Sequence, residues 1–379
     1  MVRRSKRLDL SVDYVGLKLK NPLIAAAGPL TRNGAMMKKA LDAGFAAVVT
    51  ETIVTEVRRN VRPRLVNGAA GMGNIGLYSD FTLEEWESEI AQVKEAGGIV
   101  IANILAHTPS EMSYIARVVE KYGADAIELG VAAPHGEGLE VLSSDPDRMY
   151  GLAAATVDAV ELPVIVKMSP NVTNLSKLAL AVERSGASAI SAIDTVRSII
   201  GVDLETGRAL LPTYGGYSGA AVRPIGLAAV ATIAQTVDIQ VSGIGGVENY
   251  HDALEYIMLG ASTVQLLTAI VLHGYSVVPS ILEGMKRWMA RQGHESLSGI
   301  RGKALASLYS FEELRMEPYT ARVTAHCAAQ HCDACVTGCM YEAVVKDEGI
   351  YSVDKARCAG CGLCVSLCPE KCFMLEWGP

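Results

Sequence analysis

Apolar positions along this chain fall into a repeating rhythm. Short, nearly continuous aliphatic runs at 23–27, 46–52, 99–105, 126–131, 164–169, 189–195, 239–244 and 263–269 predict strands. Each is followed by a stretch with apolar residues every three or four positions, at 33–43, 82–96, 109–122, 146–160, 174–185, 224–235, 249–259 and 277–291, which predicts a helix. Uninterrupted apolar runs suit strands of a parallel sheet covered on both faces. Eight such units within about 290 residues predict an α/β fold, a TIM (β/α)8 barrel. An open doubly wound sheet would carry fewer strands and a glycine-rich first turn, and Gly28-Pro29 is not such a turn.

Local signals agree with this register. Thr82-Leu-Glu-Glu85 is a capping box, and Asn174 and Asn249 stand where helix caps are needed. Residues 10–20 alternate around a glycine and predict a hairpin closing one end of the barrel. Two longer insertions, 54–80 and 197–223, follow strands and therefore hang over the C-terminal mouth, where barrel enzymes keep their chemistry.

All nine cysteines lie between 327 and 372. Cys358, Cys361, Cys364 and Cys368, the last followed by Pro369, spell C-x2-C-x2-C-x3-C-P, in which three thiolates hold one iron–sulfur cubane and the fourth reaches a neighbouring one. Cys332, Cys335 and Cys339 repeat the last three positions, with Cys327 displaced from the regular first one. Crossed ligation then assigns Cys327, Cys332, Cys335 and Cys368 to one 4Fe-4S cluster, and Cys358, Cys361, Cys364 and Cys339 to the other. Cys372 reads as a buried small hydrophobe, although it or a water could replace Cys327 as a ligand. The organisation expected is a barrel over 1–315 and a C-terminal two-cluster ferredoxin-like domain over 316–379, with 293–325 as the linking stretch.

Half of the residues are hydrophobic, yet no uncharged apolar window is long enough to span a bilayer. Arg3, Arg4, Lys6 and Arg7 are not followed by the apolar run of a secretory leader. A net charge of −7 argues against general nucleic-acid binding. Oxidation-sensitive clusters favour a reducing, cytoplasmic setting.

Strand seven ends in Ser242-Gly-Ile-Gly-Gly246, where backbone N–H groups can approach a phosphate, and strand eight ends in Leu267-Thr268-Ala269. Lys167 interrupts an apolar strand, which is costly for an unpaired ammonium. A cation there suits the pyrimidine end of a flavin, whose anionic reduced form it would stabilise.

With Asn21-Pro-Leu-Ile-Ala-Ala-Ala-Gly-Pro29, Lys167-Met-Ser-Pro-Asn-Val-Thr173, Tyr214-Gly-Gly-Tyr-Ser-Gly219, Gly243-Ile-Gly-Gly246 and the two cysteine runs, the chain resembles the dihydropyrimidine dehydrogenase family. More closely, it resembles the flavin and iron–sulfur subunit of the bacterial NAD-dependent enzyme, whose barrel is shared with class 1 dihydroorotate dehydrogenases. The resemblance implies FMN in the barrel mouth, two 4Fe-4S clusters in the tail, an oligomeric assembly, and a partner subunit carrying FAD and using NAD(P)H. It places FMN contacts at Ala26, Ala27, Gly28, Asn103, Lys167, Thr195, Ser218, Gly219, Gly245, Gly246, Thr268 and Ala269.

The substrate side departs from the family. Where relatives read Asn-Leu-Ser-Cys-Pro-His-Gly, with the cysteine as proton donor and the asparagine on the pyrimidine, this chain has Gly130-Val-Ala-Ala133-Pro-His135-Gly136. The family's second substrate asparagine is Asp194, a lysine near the flavin is replaced by Glu51, and only Asn74 is retained. Ala133 cannot protonate a substrate, which makes His135 the first candidate acid beside Lys167, with Glu137, Glu140, Tyr78 and Tyr217 weaker ones. Asn74, Asp194, Glu51 and Thr195 are the candidate substrate-binding residues. Losing the paired amides leaves a pyrimidine short of partners at about 1–3 kcal/mol for each group, so a cationic or donor-rich ligand fits better. The expected activity is reduction or desaturation of a C=C or C=N bond in a small, cyclic substrate other than a standard pyrimidine. The alternatives are the family's own reduction of uracil or thymine, and an electron-transfer subunit with a non-catalytic barrel.

Overall fold

The computed structural model describes residues 8–57, 59–132, 139–314, 318–327 and 332–377. They form two compact units, divided between Ser307 and Leu308.

The first unit opens with the antiparallel hairpin of β1 (Val12–Tyr14) and β2 (Leu17–Leu19), paired Val12 to Leu19. The barrel then begins with β3 (Leu23–Ala25), α1 (Gly34–Asp42) and β4 (Ala47–Val49). The first insertion contributes β5 (Leu65–Gly68) and β6 (Gly71–Asn74) before α2 (Glu85–Glu95). The wind continues with β7 (Val100–Ile104), α3 (Pro109–Lys121), β8 (Ala126–Leu129), α4 (Leu139–Ser144), α5 (Pro146–Val157), β9 (Val164–Met168), α6 (Leu175–Arg184) and β10 (Ala189–Ala192). The second insertion holds β11 (Val196–Ser198), β12 (Val202–Asp203), β13 (Arg208–Ala209) and β14 (Gly215–Ser218). After it come α7 (Arg223–Ala234), β15 (Gln240–Ile244), α8 (Tyr250–Met258), β16 (Thr263–Leu266), α9 (Thr268–His273) and α10 (Val277–Gln292). Strands β3, β4, β7, β8, β9, β10, β15 and β16 pair in parallel in that order, and β16 closes on β3. The predicted eight-stranded closed barrel is therefore present. Asn174 and Asn249 each accept backbone N–H bonds at the start of their helices, and Thr82 and Glu85 exchange the reciprocal pair of a capping box.

Residues two apart on a strand share a face, and this fixes what fills the lumen. Ile24, Ile101, Ala126, Ile165 and Ala189 join Tyr14 and Leu19 of the hairpin in one apolar cluster, so the end that the hairpin closes is the N-terminal one. Gln240, at the start of β15, ties that hairpin down: its Nε2 donates to Asp13 O and its Oε1 accepts from Val15 N. One step toward the C-terminal ends, the same strands present Asn103, Glu128, Lys167 and Ser191, all buried. An apolar plug is thus followed by a polar layer.

The structure departs from the sequence reading at the mouth. The two insertions meet in one antiparallel sheet ordered β11-β14-β6-β5, with Gly216 opposite Asn74. Its central strands are Gly-rich and low in β propensity, so tertiary pairing rather than local preference makes them. Close approach requires it: a Cβ on Gly71 would lie 2.0 Å from Ser218 O. Thr268 and Ala269 open the short helix α9 instead of ending strand eight, and α4 precedes the predicted fourth helix.

In the second unit, β17 (Tyr319–Val323) pairs antiparallel with β20 (Phe373–Trp377), and β18 (Val344–Asp347) with β19 (Ile350–Val353). Two short helices, α11 (Ala334–Thr337) and α12 (Leu363–Leu367), lie within the two cysteine runs. The buried core is Ala321, Val344, Tyr351 and Phe373 with Cys335, Cys364, Cys368 and Cys372. A core that is half thiol on so short a chain offers little apolar burial, the situation in which small domains depend on bound metal. Among the described residues no helix is long and apolar enough to cross a membrane.

Candidate active site

A cavity of about 160 Å3 opens at the C-terminal ends of the barrel strands, beneath the sheet formed by the insertions. All twelve residues at which FMN contacts are expected line it, and so do Asn74, Asp194 and Glu51. His135, Ala133 and Glu137 lie outside the described residues, as does the side chain of Glu140. Tyr217 lines the cavity; its hydroxyl accepts from Ala70 N at 3.3 Å.

Glycines make one wall passable for a large ligand. Gly246 has φ +67°, a left-handed conformation, and a Cβ there would fall 2.7 Å from Gly219 O. The space is taken by the Gly219 carbonyl and by Arg223, so no side chain fits at residue 246. Beside it Ser218 Oγ and Thr268 Oγ1 are 2.8 Å apart, joining the lid sheet to the start of α9.

The cavity floor is the polar layer of the lumen. Asn103 Nδ2 donates to Glu128 Oε1 at 2.8 Å, Gln265 Nε2 to Glu128 Oε2 at 3.1 Å, and Ser191 Oγ to Glu128 Oε2 at 2.7 Å. The carbonyl oxygens Asn103 Oδ1 and Gln265 Oε1 are buried and have no hydrogen-bond partner among the described residues. Unpaired buried acceptors are rare in folded proteins, and a cavity-lining pair fits a bound group with N–H donors, as a flavin has. Glu128 and Gln265 escaped the sequence reading, although each interrupts an apolar strand just as Lys167 does.

Charges gather around this floor. Lys167 Nζ stands 3.9 Å from Asp194 Oδ2. Burial alone would pull its pKa down, but Asp194 and Glu128 outweigh that and hold the ammonium above the ordinary lysine range. Asp194 Oδ1 also accepts from Thr195 N at 2.5 Å. Glu51 behaves oppositely: burial, with the carboxylate of Asp80, pushes its pKa up to about 7 despite Arg32 and Arg64. Asn74 is anchored through Oδ1, which accepts from Gly76 N at 2.8 Å.

In the second unit, Cys339, Cys358, Cys361 and Cys364 line one small cavity together. This is the set that crossed ligation assigns to one cluster. Backbone N–H groups point at the sulfurs: Ala321 N donates to Cys358 Sγ and Ala343 N to Cys339 Sγ, both at 3.3 Å. Burial pushes the Cys335 thiol up, and neighbouring Cys368 and Cys327 add to the shift, so these three lie together. Cys372 is buried, and its N–H donates to Cys368 Sγ at 3.3 Å. Among the described residues no three such side chains close on a single metal ion. Thiols spread around a cavity suit a polynuclear cluster better than one ion.

A closed parallel barrel with a polar, glycine-walled cavity at its C-terminal mouth has the architecture of a barrel enzyme. Residues 9–289 match the dihydroorotate dehydrogenase family, and the chain belongs to it. It is a flavin-dependent oxidoreductase acting on CH–CH or CH–NH groups. The chain is 38% identical over 306 residues to the catalytic subunit of dihydroorotate dehydrogenase B (NAD(+)) of Pyrococcus abyssi, covering 78% of this chain and 99% of that protein. It is 33% identical over 326 residues to the NAD-dependent dihydropyrimidine dehydrogenase subunit PreA of Escherichia coli K12, covering 81% and 79%. Among solved structures, dihydroorotate dehydrogenase of Eimeria tenella in complex with ferulenol superposes with a TM-score of 0.70 at 19% identity, covering 80% of this chain and 91% of that one, a likeness of fold.

Proposed function

We propose that this chain is an FMN- and iron–sulfur-dependent oxidoreductase that reduces or desaturates a C=C or C=N bond in a small cyclic substrate other than a standard pyrimidine. Electrons pass between its barrel and a partner flavoprotein, carrying FAD and using NAD(P)H, through two 4Fe-4S clusters in the second unit. The curated relatives are named as NAD(+)-linked catalytic subunits or an NAD-dependent subunit, which supports a separate partner for the nicotinamide. The observation that carries the substrate reading is the pair of carboxyl groups, Glu51 and Asp194, lining the cavity where the family resemblance implies a lysine and an asparagine.

FMN, when bound, supplies the site that takes or gives a hydride. Lys167 would supply positive charge to that group, and Asp194 holds Lys167 in place. Proton transfer needs an acid near the substrate. His135 is one candidate. Glu51 is the other: with a pKa of about 7, its carboxyl can both hold and release a proton near neutrality. Asn74 and Thr195 bind the substrate's polar edge, and the lid sheet excludes water.

A second reading, reduction of uracil or thymine, is favoured by Asn74 and by the E. coli relative. One experiment separates the two. Reduced, anaerobic enzyme is mixed with uracil, thymine, orotate, cyclic enones and cationic heterocycles, and flavin reoxidation is followed. Fast reoxidation by a pyrimidine, with a dihydropyrimidine as product, rejects the first reading.

A further inference from the structure

We propose that Glu128 is a positioning residue that fixes the carboxamides of Asn103 and Gln265 with their carbonyl oxygens presented as acceptors, so that the cavity floor selects the N–H of a flavin's pyrimidine edge. This rests on the flavin reading above and says which residue gives that subsite its polarity.

Glu128 lies on β8 with no exposed surface, between Asn103 on β7 and Gln265 on β16. A carboxylate only accepts hydrogen bonds. Each neighbouring amide must therefore turn its NH2 toward Glu128, at 2.8 Å for Asn103 and 3.1 Å for Gln265, and the carbonyl of each is committed to the other side. Flipping either amide would set oxygen against oxygen in a buried site. Ser191 Oγ, at 2.7 Å, supplies a third donor and holds the carboxylate itself.

Both carbonyl oxygens are left without a partner among the described residues, although both side chains are essentially fully buried and both residues line the cavity. Gly130 permits this arrangement: a Cβ at that position would stand 2.4 Å from Asn103 Oδ1. The unmet need is for a donor, and Lys167, whose ammonium interacts with Glu128, marks the same region as the place for an electron-rich ring. The isoalloxazine pyrimidine ring offers one N–H, at N3, flanked by two carbonyls. Acceptors from Asn103 and Gln265 suit the N–H, and the Lys167 ammonium suits a carbonyl.

The test is the affinity of the full-length chain, stripped of flavin, for FMN and for N3-methyl-FMN, read by quenching of flavin fluorescence. The wild-type protein is expected to bind FMN about tenfold or more tighter than the N3-methyl form, because methylation leaves the buried acceptors unpaired. In Glu128→Gln, the new amide can donate and releases one neighbour to flip, so the gap shrinks to about threefold or less. A purely structural role would weaken both flavins equally and leave the ratio unchanged. Should Glu128→Gln fail to fold by circular dichroism, Gln265→Met carries the test, since it removes one acceptor and leaves Glu128 two donors. There the gap must shrink as well, and an unchanged gap overturns the proposal. Equal wild-type affinities overturn this inference and leave the flavin reading standing. A folded wild-type chain that takes up no FMN rejects both.

Discussion

Lys167 and Asp194 form an ion pair inside the barrel mouth, with Nζ 3.9 Å from Oδ2 and the two side chains 9% and 16% exposed. The pair joins the floor of the cavity to its rim. Lys167 has a folded-state pKa above its ordinary value, so its stabilising contribution is complete below about pH 10 and is lost as pH rises through the higher folded value. Asp194→Asn removes the partner and leaves burial to dominate. Denaturant unfolding near pH 7.5 is expected to show a loss of about 1–3 kcal/mol. The alkaline fall in melting temperature should also begin at lower pH than in the wild type, and an unchanged profile would mean that the pair contributes nothing.

Glu51 shows the opposite sign for a carboxyl. Its folded pKa, about 7, lies above the ordinary glutamate value of 4.5, so the stability it contributes is present in the acid range and is lost as pH rises through about 7. Glu51→Gln should therefore be neutral or slightly destabilising at pH 5. At pH 8 it should be stabilising relative to wild type by on the order of 1–3 kcal/mol. Melting curves across pH 5–8 decide this. If Glu51 is the proton donor, the same variant lowers turnover about 10²-fold or more while His135→Ala does not, and the reverse pattern assigns the role to His135.

Restoring an asparagine at residue 130 does not simply recover a pyrimidine site. Any side chain there begins 2.4 Å from Asn103 Oδ1, which is pinned through its amide to Glu128. Gly130→Asn is expected to destabilise the barrel by about 1–3 kcal/mol and to weaken flavin retention. Thermal melting with and without added FMN is the measurement, and a variant as stable as wild type with uracil affinity gained would contradict this account.

Crossed ligation makes pairs of distant substitutions equivalent. Cys339→Ser and Cys358→Ser should each abolish the same cluster, and Cys332→Ser and Cys368→Ser the other. Iron content and electron paramagnetic resonance of the reduced protein would report this. Should Cys339→Ser instead match Cys332→Ser, the clusters are ligated within each run.

Much of this was legible in the sequence because the physics was local. A strand covered on both faces has to read as an apolar run, and Ile101, Ala126, Ile165 and Ala189 announce their strands in that way. Cysteine spacing is likewise a local record of geometry. The lid sheet was not legible, since Gly71–Asn74 and Gly215–Ser218 carry little strand preference and pair across a long stretch of chain. Glu128 and Gln265 were missed for another reason. Each is a polar residue in an otherwise apolar strand, and the bond that explains their burial joins residues 137 positions apart.

The lid has one consequence for engineering. Its middle strands come from different insertions, and each completes the edge of the other, with Tyr217 facing Gly73 across the seam. A loop transplanted from a relative into one insertion would arrive without its counterpart and leave half a sheet with bare backbone. Swapping substrate preference between members of this group therefore means moving residues 54–80 and 197–223 as a single cassette.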